Sequence, residues 1–313
     1  MEKRVGKSCA AAQLTGMVLV VLIVLASLAA AHQFSDWSAP ANLDAPVNTA
    51  ASEQAAFISK DGLSLYFASN RTGGLGGTDI WVSRRASLDE PWGEPENLGA
   101  PINSASSEFA PSLTIDGHTL FFQSTRPGGF GGFDLYASRR HNKRDDFGWQ
   151  PPVNLGGEIN TSANEEHPAY FEDDETGITT LYFTSNRLGA DDIYASTLQP
   201  DETFGPATVV EELSSPFVDR QPAIRRDGLE MFLASDRPGT YGLLDLWVST
   251  RASTSHPWSA PVNLGPLVNS DFIDARPALS FEGTELYFQS TRPGGFGAQD
   301  LYLSTRSKLK RQN

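Results

Sequence analysis

The stretch Ser124-Thr125-Arg126-Pro127-Gly128-Gly129-Phe130-Gly131-Gly132-Phe133-Asp134-Leu135-Tyr136 decides the fold, because related copies begin at Ser69, Ser185, Ser235 and Ser290. Each copy has an arginine two residues after its serine and an aspartate directly before an Ile/Leu-aromatic pair. Successive aspartates are 55, 58, 53 and 55 residues apart. A period of this kind indicates a repeat architecture in which each unit is one supersecondary module.

Each repeat contains four strand signals in a fixed order. The first strand ends at an Asp-Gly pair such as Asp116-Gly117, and Asp-Gly between alternating apolar residues is a strong hairpin signal. The second strand follows at Thr119 to Gln123, and the third follows the Gly-rich phrase at Leu135 to Ser138. A Trp-x-x-Pro-x-Asn-Leu phrase, as in Trp92 to Leu98, marks a short fourth strand. Four antiparallel strands repeated in this way are typical of β-propeller blades.

The two ends of the repeat region predict how the ring closes. Trp37 to Leu43 is a fourth-strand phrase without the earlier strands of its blade, and the final repeat stops after its third strand at Leu301 to Leu303. We therefore predict an all-β fold, a five-bladed β-propeller with four antiparallel strands per blade. The N-terminal strand in residues 37–43 completes the last blade and leaves no orphan edge.

The repeated phrase resembles the WD40-like β-propeller repeat of bacterial envelope proteins, the repeat type of TolB. Related phrases also occur in propellers that precede OmpA-like domains. The resemblance covers nearly all of residues 37–306. It implies a propeller fold and a place in the cell envelope.

The first 31 residues have the pattern of a secretory signal peptide. Three basic residues precede an apolar run that ends at Ala29 to Ala31, a suitable cleavage site. An uncleaved signal anchor is the alternative, because the apolar run approaches the roughly 18 to 20 residues that span a bilayer. We expect residues 32–306 to form a single propeller domain, residues 307–313 a frayed basic tail, and the protein to be periplasmic or secreted, without a membrane span after cleavage.

The charge balance excludes several classes of partner. Removal of residues 1–31 leaves 21 basic and 37 acidic residues, a formal charge of −16. Such a surface disfavours DNA, RNA and anionic lipid. The one cysteine, Cys9, lies in the predicted signal peptide, so the mature chain has no disulfide and no cysteine-ligated metal.

Counting residues across each Asp-Gly hairpin predicts ion pairs at one rim of the ring. With a two-residue turn, Glu108 faces Thr125 and neighbours Arg126, for which Asp134 is a second candidate acceptor. Because such charges recur in every blade, whereas a catalytic group occurs once in a site, we interpret them as structural. The corresponding pairs in the other blades are Glu53 with Arg71, Glu165 with Arg187, Asp219 with Arg237 and Asp274 with Arg292.

Broken symmetry between blades marks a candidate ligand site. The position before the first-strand proline is alanine in two blades but His167, Gln221 and Arg276 in the other three. These side chains predict a polar pocket near the channel mouth for a hydroxylated or anionic ligand. The ligand-binding candidates are His167, Gln221, Arg276, Glu165, Asp219 and Asp274.

The third blade has a shortened Gly-rich loop, with five residues from Arg187 to Asp192 where most blades have eight. This shortening opens the rim there. Calcium held by Asp191 and Asp192 is an alternative without an EF-hand loop to support it. We otherwise expect no metal and no cofactor.

Two function classes remain open. Near-equivalent blades, the secretion signal and the envelope resemblance favour a non-catalytic module that binds a protein, peptide or glycan as a scaffold of the bacterial cell envelope. The alternative is a glycoside hydrolase or lyase, because five-bladed propellers also include glycosidases with carboxylates in the central funnel. Such chemistry requires two carboxyl groups in unlike environments, and Glu165, Asp219 and Asp274 are its candidates.

Overall fold

Five four-stranded antiparallel sheets surround a central channel in the computed structural model, which describes residues 34–309. The predicted signal peptide, Cys9 and residues 310–313 of the predicted basic tail lie outside the described residues. Over residues 34–309, no helix has the length and apolar character needed to cross a membrane. The prediction of an all-β, five-bladed propeller is confirmed.

Within each blade the strands follow one another from the channel to the outer edge, since the first strands of neighbouring blades contact each other around the ring. The first strands are β2 Glu53–Ile58, β6 Glu108–Leu113, β10 Glu165–Glu172, β14 Asp219–Ile224 and β18 Asp274–Leu279. The second strands are β3 Ser64–Ser69, β7 Thr119–Ser124, β11 Thr179–Ser185, β15 Glu230–Ser235 and β19 Glu285–Ser290.

The outer two strands of each blade differ in length. The third strands are β4 Asp79–Arg84, β8 Asp134–Arg139, β12 Asp192–Thr197, β16 Asp245–Thr250 and β20 Asp300–Thr305. The fourth strands have only two residues each. They are β1 Ala41–Asn42, β5 Glu96–Asn97, β9 Val153–Asn154, β13 Thr208–Val209 and β17 Val262–Asn263.

The N-terminal strand closes the ring as predicted. Strand β1 pairs antiparallel with β20, with Ala41 opposite Leu303 and Asn42 opposite Tyr302. Trp37, just before β1, packs edge-to-face on Phe232 of the fourth blade with ring centroids 6.0 Å apart. The last blade is therefore built from both ends of the propeller, which leaves β20 without an open edge.

The core lies between the blades. In one cluster, Tyr66 and Ile80 of the first blade pack with Leu113 and Phe122 of the second. Equivalent clusters join each of the other four pairs of neighbouring blades. Phe122 is fully buried at the centre of its second strand. Burial of such a side chain contributes about 1.5–3 kcal/mol.

A β-bulge in every first strand corrects the predicted register by one residue. Glu108 pairs with Ser124 and not with Thr125, whereas Ser112 pairs with Phe121 as the simple count requires. The extra residue is Ala110, which has a left-handed φ of 51°. A bulge of this kind absorbs one residue and re-aims a side chain. The equivalent bulge residues are Ala55, His167, Gln221 and Arg276, with φ of 49°, 51°, 63° and 54°.

Ring closure predicts a stability effect for Trp37→Ala. The substitution removes the half-buried indole and with it two contacts. One is the packing on Phe232, and the other is with the Arg306 guanidinium, which lies 4.4 Å from the centroid of the indole ring. We expect the free energy of unfolding to fall by about 2 kcal/mol, less than for a fully buried tryptophan. Denaturant titration followed by circular dichroism measures the change. Leu88→Ala, in a side chain 61% exposed, is the control, and equal stabilities of the two variants would contradict the closure role.

Candidate functional site

The acid that begins each first strand is fully buried and paired with the arginine of the Gly-rich phrase. Glu108 Oε1 lies 3.3 Å from Arg126 Nη2 and accepts a 2.7 Å hydrogen bond from Ser124 Oγ. Arg126 also donates to the carbonyl oxygen of Ile102 at 2.5 Å. These contacts tie the Gly-rich loop to the crossing that enters the blade. The same ion pair joins Glu53 to Arg71, Glu165 to Arg187, Asp219 to Arg237 and Asp274 to Arg292.

The aspartate of the Gly-rich phrase bonds its own loop and not the arginine of that phrase. Asp134 accepts the backbone N–H groups of Phe130 at 2.6 Å and Gly131 at 3.0 Å, and the side-chain amide of Asn154 at 2.8 Å. Within residues 34–309 it has no hydrogen bond to Arg126. Asp134 therefore caps its own loop and is not a rim-pair acceptor.

Glu165, Asp219 and Asp274 do not reach a ligand. Each side chain is 0% exposed and its carboxylate contacts the arginine of its own blade. Because side chains alternate along a strand, the residue after each acid lies on the other face of the strand. This residue is partly exposed in four blades, as Gln54, Phe109, Glu166 and Arg220, and buried in the fifth, as Ala275. Glu165, Asp219 and Asp274 are corrected from ligand-binding and catalytic candidates to structural ones.

The buried rim pairs predict a large cost for Glu108→Gln. The substitution removes the anion and leaves the Arg126 guanidinium without its charge partner, which is strongly destabilising when the pair is buried. We expect the free energy of unfolding to fall by about 3 kcal/mol. Glu90→Gln, at an exposed position, is the control and should stay within about 0.5 kcal/mol of the parent. Two variants of equal stability would show that the pair is dispensable.

The channel brings His167, Gln221 and Arg276 together. They line a cavity of about 40 Å³ with first-strand residues from the other two blades. Arg276 Nε donates to His167 Nε2 at 2.9 Å, and the Arg276 backbone N–H donates to Gln221 Oε1 at 2.9 Å. Arg276 Nη1 donates to Gln289 Oε1 at 2.5 Å and also to Gln54 Oε1. The two glutamines were absent from the sequence-based set.

The contact with Arg276 fixes the protonation of His167. Because Nε2 accepts from Arg276, the imidazole proton lies on Nδ1. This atom is buried 3.8 Å from Glu166 Oε2 and has no hydrogen-bond partner in the described part of the chain. Burial, with the charges of Arg276 and Arg220, holds the pKa of His167 well below its usual range. The imidazole is therefore neutral, with its N–H on the side of Glu166.

Three titratable side chains at the mouth, Glu166, Asp191 and Arg220, were not among the sequence-based candidates. Arg220 Nη1 lies 3.1 Å from Asp191 Oδ2, and both side chains are partly exposed. The Glu166 side chain is 16% exposed and pairs with no arginine or lysine among residues 34–309. Burial raises the pKa of Glu166, and Asp191 acts in the same direction against the opposing charges of Arg220 and Arg276. The mouth thus holds two carboxyl groups in unlike environments.

A repeated backbone contact places Asp191 beside the next blade. Its carbonyl accepts the backbone N–H of Asp219 at 2.9 Å, as the Phe133 carbonyl accepts that of Glu165 at 2.8 Å. The side chain at this position changes from blade to blade, and so does the residue after each rim acid. Comparison of these two positions across the blades is the signal that would have found Glu166 and Asp191.

An aromatic pair lies on the neighbouring side of the mouth. Phe109, which follows the rim acid of the second blade, packs edge-to-face with Phe133 at 5.7 Å between ring centroids. Both rings are half-buried. Aromatic surface beside carboxyl groups suits a ligand with both apolar and hydroxyl faces.

The third blade departs from the others beyond its short loop. Val209 of β13 occupies the place of the asparagine that bonds the loop aspartate elsewhere. Burial, with the charges of Asp219 and Asp191, raises the pKa of Asp192. In residues 34–309, no three His, Cys, Asp or Glu side chains form a group suited to a metal ion.

No protein family model matches the sequence, and no curated protein matches it. The resemblance to the WD40-like repeat of envelope proteins therefore stays a prediction. Solved structures with a similar fold include a thermostable family-43 glycoside hydrolase, at 11% identity, a TM-score of 0.58, and coverage of 86% of this chain and 93% of that chain.

Two further structures show the same likeness. An alpha-L-arabinofuranosidase from Lactobacillus brevis is 15% identical, with a TM-score of 0.58 and coverage of 85% of this chain and 93% of its own. An endo-arabinase from Bacteroides thetaiotaomicron is 19% identical, with a TM-score of 0.53 and coverage of 86% and 97%. At these identities the comparison establishes a shared propeller fold.

These neighbours correct the expected function class. The favoured hypothesis was a non-catalytic binding or scaffold module, whereas these three structures of similar fold are a family-43 glycoside hydrolase, an arabinofuranosidase and an endo-arabinase. That expectation is wrong; it rested on the near-equivalence of the blades together with the secretion signal and the envelope resemblance. The equivalence holds for the rim pairs and fails at the channel mouth, where each blade contributes a different side chain.

The raised pKa of Glu166 predicts a pH-dependent effect of Glu166→Gln on stability. A carboxyl whose pKa is higher in the folded than in the unfolded chain stabilises the fold at low pH, and this contribution is lost as pH rises through the folded pKa. The Glu166→Gln variant does not lose this stabilisation as pH rises, because its side-chain amide does not ionise. Its melting temperature relative to the parent should therefore increase between about pH 4 and about pH 7.5. Calorimetry measures the difference, Glu212→Gln at an exposed position is the control, and a pH-independent difference would refute the environment assigned to Glu166.

Proposed function

We propose that this chain is a glycoside hydrolase whose active site is the channel mouth between the third and fourth blades. The observation that carries the proposal is the pair Glu166 and Asp191. Burial favours the neutral form of the first, and the second is an ion-paired carboxylate on Arg220. One protonated and one ionised carboxyl group are what hydrolysis of a glycosidic bond requires.

The two groups divide the proton transfers. Glu166 donates its proton to the glycosidic oxygen as the bond from that oxygen to the anomeric carbon breaks. Asp191 accepts a proton from the water whose oxygen forms the new bond to that carbon. One proton is thus given and one taken, and exchange with solvent restores both carboxyl groups.

Neighbouring residues support these roles. The neutral His167 places its Nδ1–H 3.8 Å from Glu166 Oε2, where it stabilises the carboxylate formed after proton donation. Arg220 orients Asp191 through the 3.1 Å contact between Nη1 and Oδ2. Phe109 and Phe133 offer apolar surface to a sugar ring next to the carboxyl groups.

The fold neighbours and the predicted export signal agree with this proposal. The similar structures are described as a family-43 glycoside hydrolase, an arabinofuranosidase and an endo-arabinase, all of them enzymes that cleave glycosidic bonds. An exported enzyme of this class acts on polysaccharides outside the cytoplasm. The predicted signal peptide in residues 1–31 is consistent with that location.

The proposal predicts a loss of hydrolysis in Glu166→Gln and Asp191→Asn. The purified chain is assayed on aryl glycosides and on polysaccharides of both neutral and acidic sugars. Each variant should lower kcat by about 10³-fold, because each removes one proton transfer. Glu166→Gln should retain more activity on a dinitrophenyl glycoside, whose leaving group needs no proton. The parent rate should fall at high pH as Glu166 ionises.

The control for both variants is Glu212→Gln, which removes an exposed acid and should leave kcat unchanged. Full activity of Glu166→Gln and Asp191→Asn would overturn the assignment of roles. Absence of hydrolysis on the whole panel would overturn the function itself.

A further inference from the structure

Arg276 is a cation in the channel without a carboxylate partner. Its Nε and Nη1 donate to His167, Gln54 and Gln289, all of them neutral groups. Its Nη2 has no hydrogen-bond partner within residues 34–309. This atom is not fully buried. This donor therefore opens into the cavity that Arg276 lines. Burial lowers the pKa of Arg276 to about 10, so the guanidinium stays charged at neutral pH.

Arg276 differs from the other arginines on this face. Each rim arginine is paired with a buried carboxylate, and Arg220 is paired with Asp191. Near Arg276 the acid is Glu166, whose neutral form burial favours. Arg276 thus brings a positive charge without an ion-pair partner among the described residues into the channel of a protein whose formal net charge is −14. A buried unpaired cation is costly, and an anionic ligand group would remove that cost.

The size of the cavity limits what enters it. About 40 Å³ is a few times the roughly 10–15 Å³ that one water requires. This space admits a group of a few atoms, such as a carboxylate, while a sugar ring stays at the mouth. The mouth carries Glu166 and Asp191 and, from the neighbouring second blade, the ring pair Phe109 and Phe133.

We propose that the chain acts on acidic saccharides and that Arg276 binds the carboxylate of a uronic acid unit in the channel. The guanidinium Nη2–H donates to one carboxylate oxygen, and the ring is thereby held with its glycosidic bond beside Glu166. This specificity rests on the proposed hydrolase function for its biological meaning. Binding of the carboxylate does not depend on turnover.

The position of the glutamines supports this assignment. Gln54 and Gln289 both accept from Nη1 and so hold the guanidinium in one orientation. His167 does the same at Nε. Three of the five guanidinium N–H donors are thus fixed, and the two on Nη2 remain for an acceptor. Such a side chain is preorganised for binding, which lowers the entropy cost.

The test measures binding by calorimetry to the full-length chain carrying Glu166→Gln, which cannot turn the ligand over in the proposed mechanism. The probes are tetrasaccharides of galacturonate, of glucuronate and of mannuronate, each beside its carboxyl-reduced neutral form. At least one acidic probe should bind about tenfold or more tightly than its reduced form, as expected for a charge-assisted hydrogen bond. Further substitution of Arg276→Gln should remove this preference and leave affinity for the reduced form unchanged.

Two further variants keep the result interpretable. Arg144→Gln makes the same charge change at an exposed site and should retain the preference. Arg276→Lys retains the cation without the fork and should retain part of it. Circular dichroism melts establish that each variant is folded. Equal affinity for acidic and reduced probes in all pairs, or a preference that survives Arg276→Gln, would overturn the proposal.

A third arm separates a saccharide site from a site for small anions. Acetate and sulfate are titrated at constant ionic strength. A rise in melting temperature with either anion, together with no binding of any acidic tetrasaccharide, would overturn the saccharide assignment. Hydrolysis of neutral glycosides alone would overturn the acidic specificity but support the hydrolase function. A preference for acidic probes without hydrolysis would support the acidic specificity but overturn the hydrolase function.

Discussion

The buried ion pair between the first residue of each inner strand and the arginine of the Gly-rich phrase is the constraint on which the structure depends. In the second blade it joins Glu108 to Arg126 and draws in the Ile102 carbonyl of the preceding crossing. One interaction therefore fixes the Gly-rich loop, the entry of the strand and the junction of two blades. Repeated five times, it defines one whole face of the ring.

Fixing the first residue of the strand also determines what the next two do. The second residue lies on the opposite face of the strand and is partly exposed in four of the five blades, and the third sits in a left-handed bulge that aims its side chain into the channel. Neither position is needed for the ion pair, so both are free to differ between blades. Adjacent residues therefore serve stability and function. Glu165 is fully buried in its ion pair, whereas the next residue, Glu166, is partly exposed at the mouth.

The blades and the ring closure followed from the sequence because their signals are local. Asp116-Gly117 marks a hairpin, and Trp37 to Leu43 has no other blade to join. The candidate site was only partly predictable. The bulge at Ala110 leaves no local mark, because left-handed φ in an alanine is set by tertiary contacts. With Glu165 beside Glu166, strand alternation alone decides which acid reaches the mouth, and Asp191 meets Arg220 only through the contact between blades.

Blade equivalence argued for a scaffold, and the unequal channel mouth argues for an enzyme. At the mouth, burial raises the pKa of Glu166, whereas Asp191 pairs with Arg220. Carbon-13 NMR of glutamate side-chain carboxyls, with Glu166 assigned by its absence in Glu166→Gln, measures this directly. Glu166 should titrate above the ordinary glutamate range, because burial raises its pKa. Titration of Glu166 together with the exposed glutamates would contradict the account.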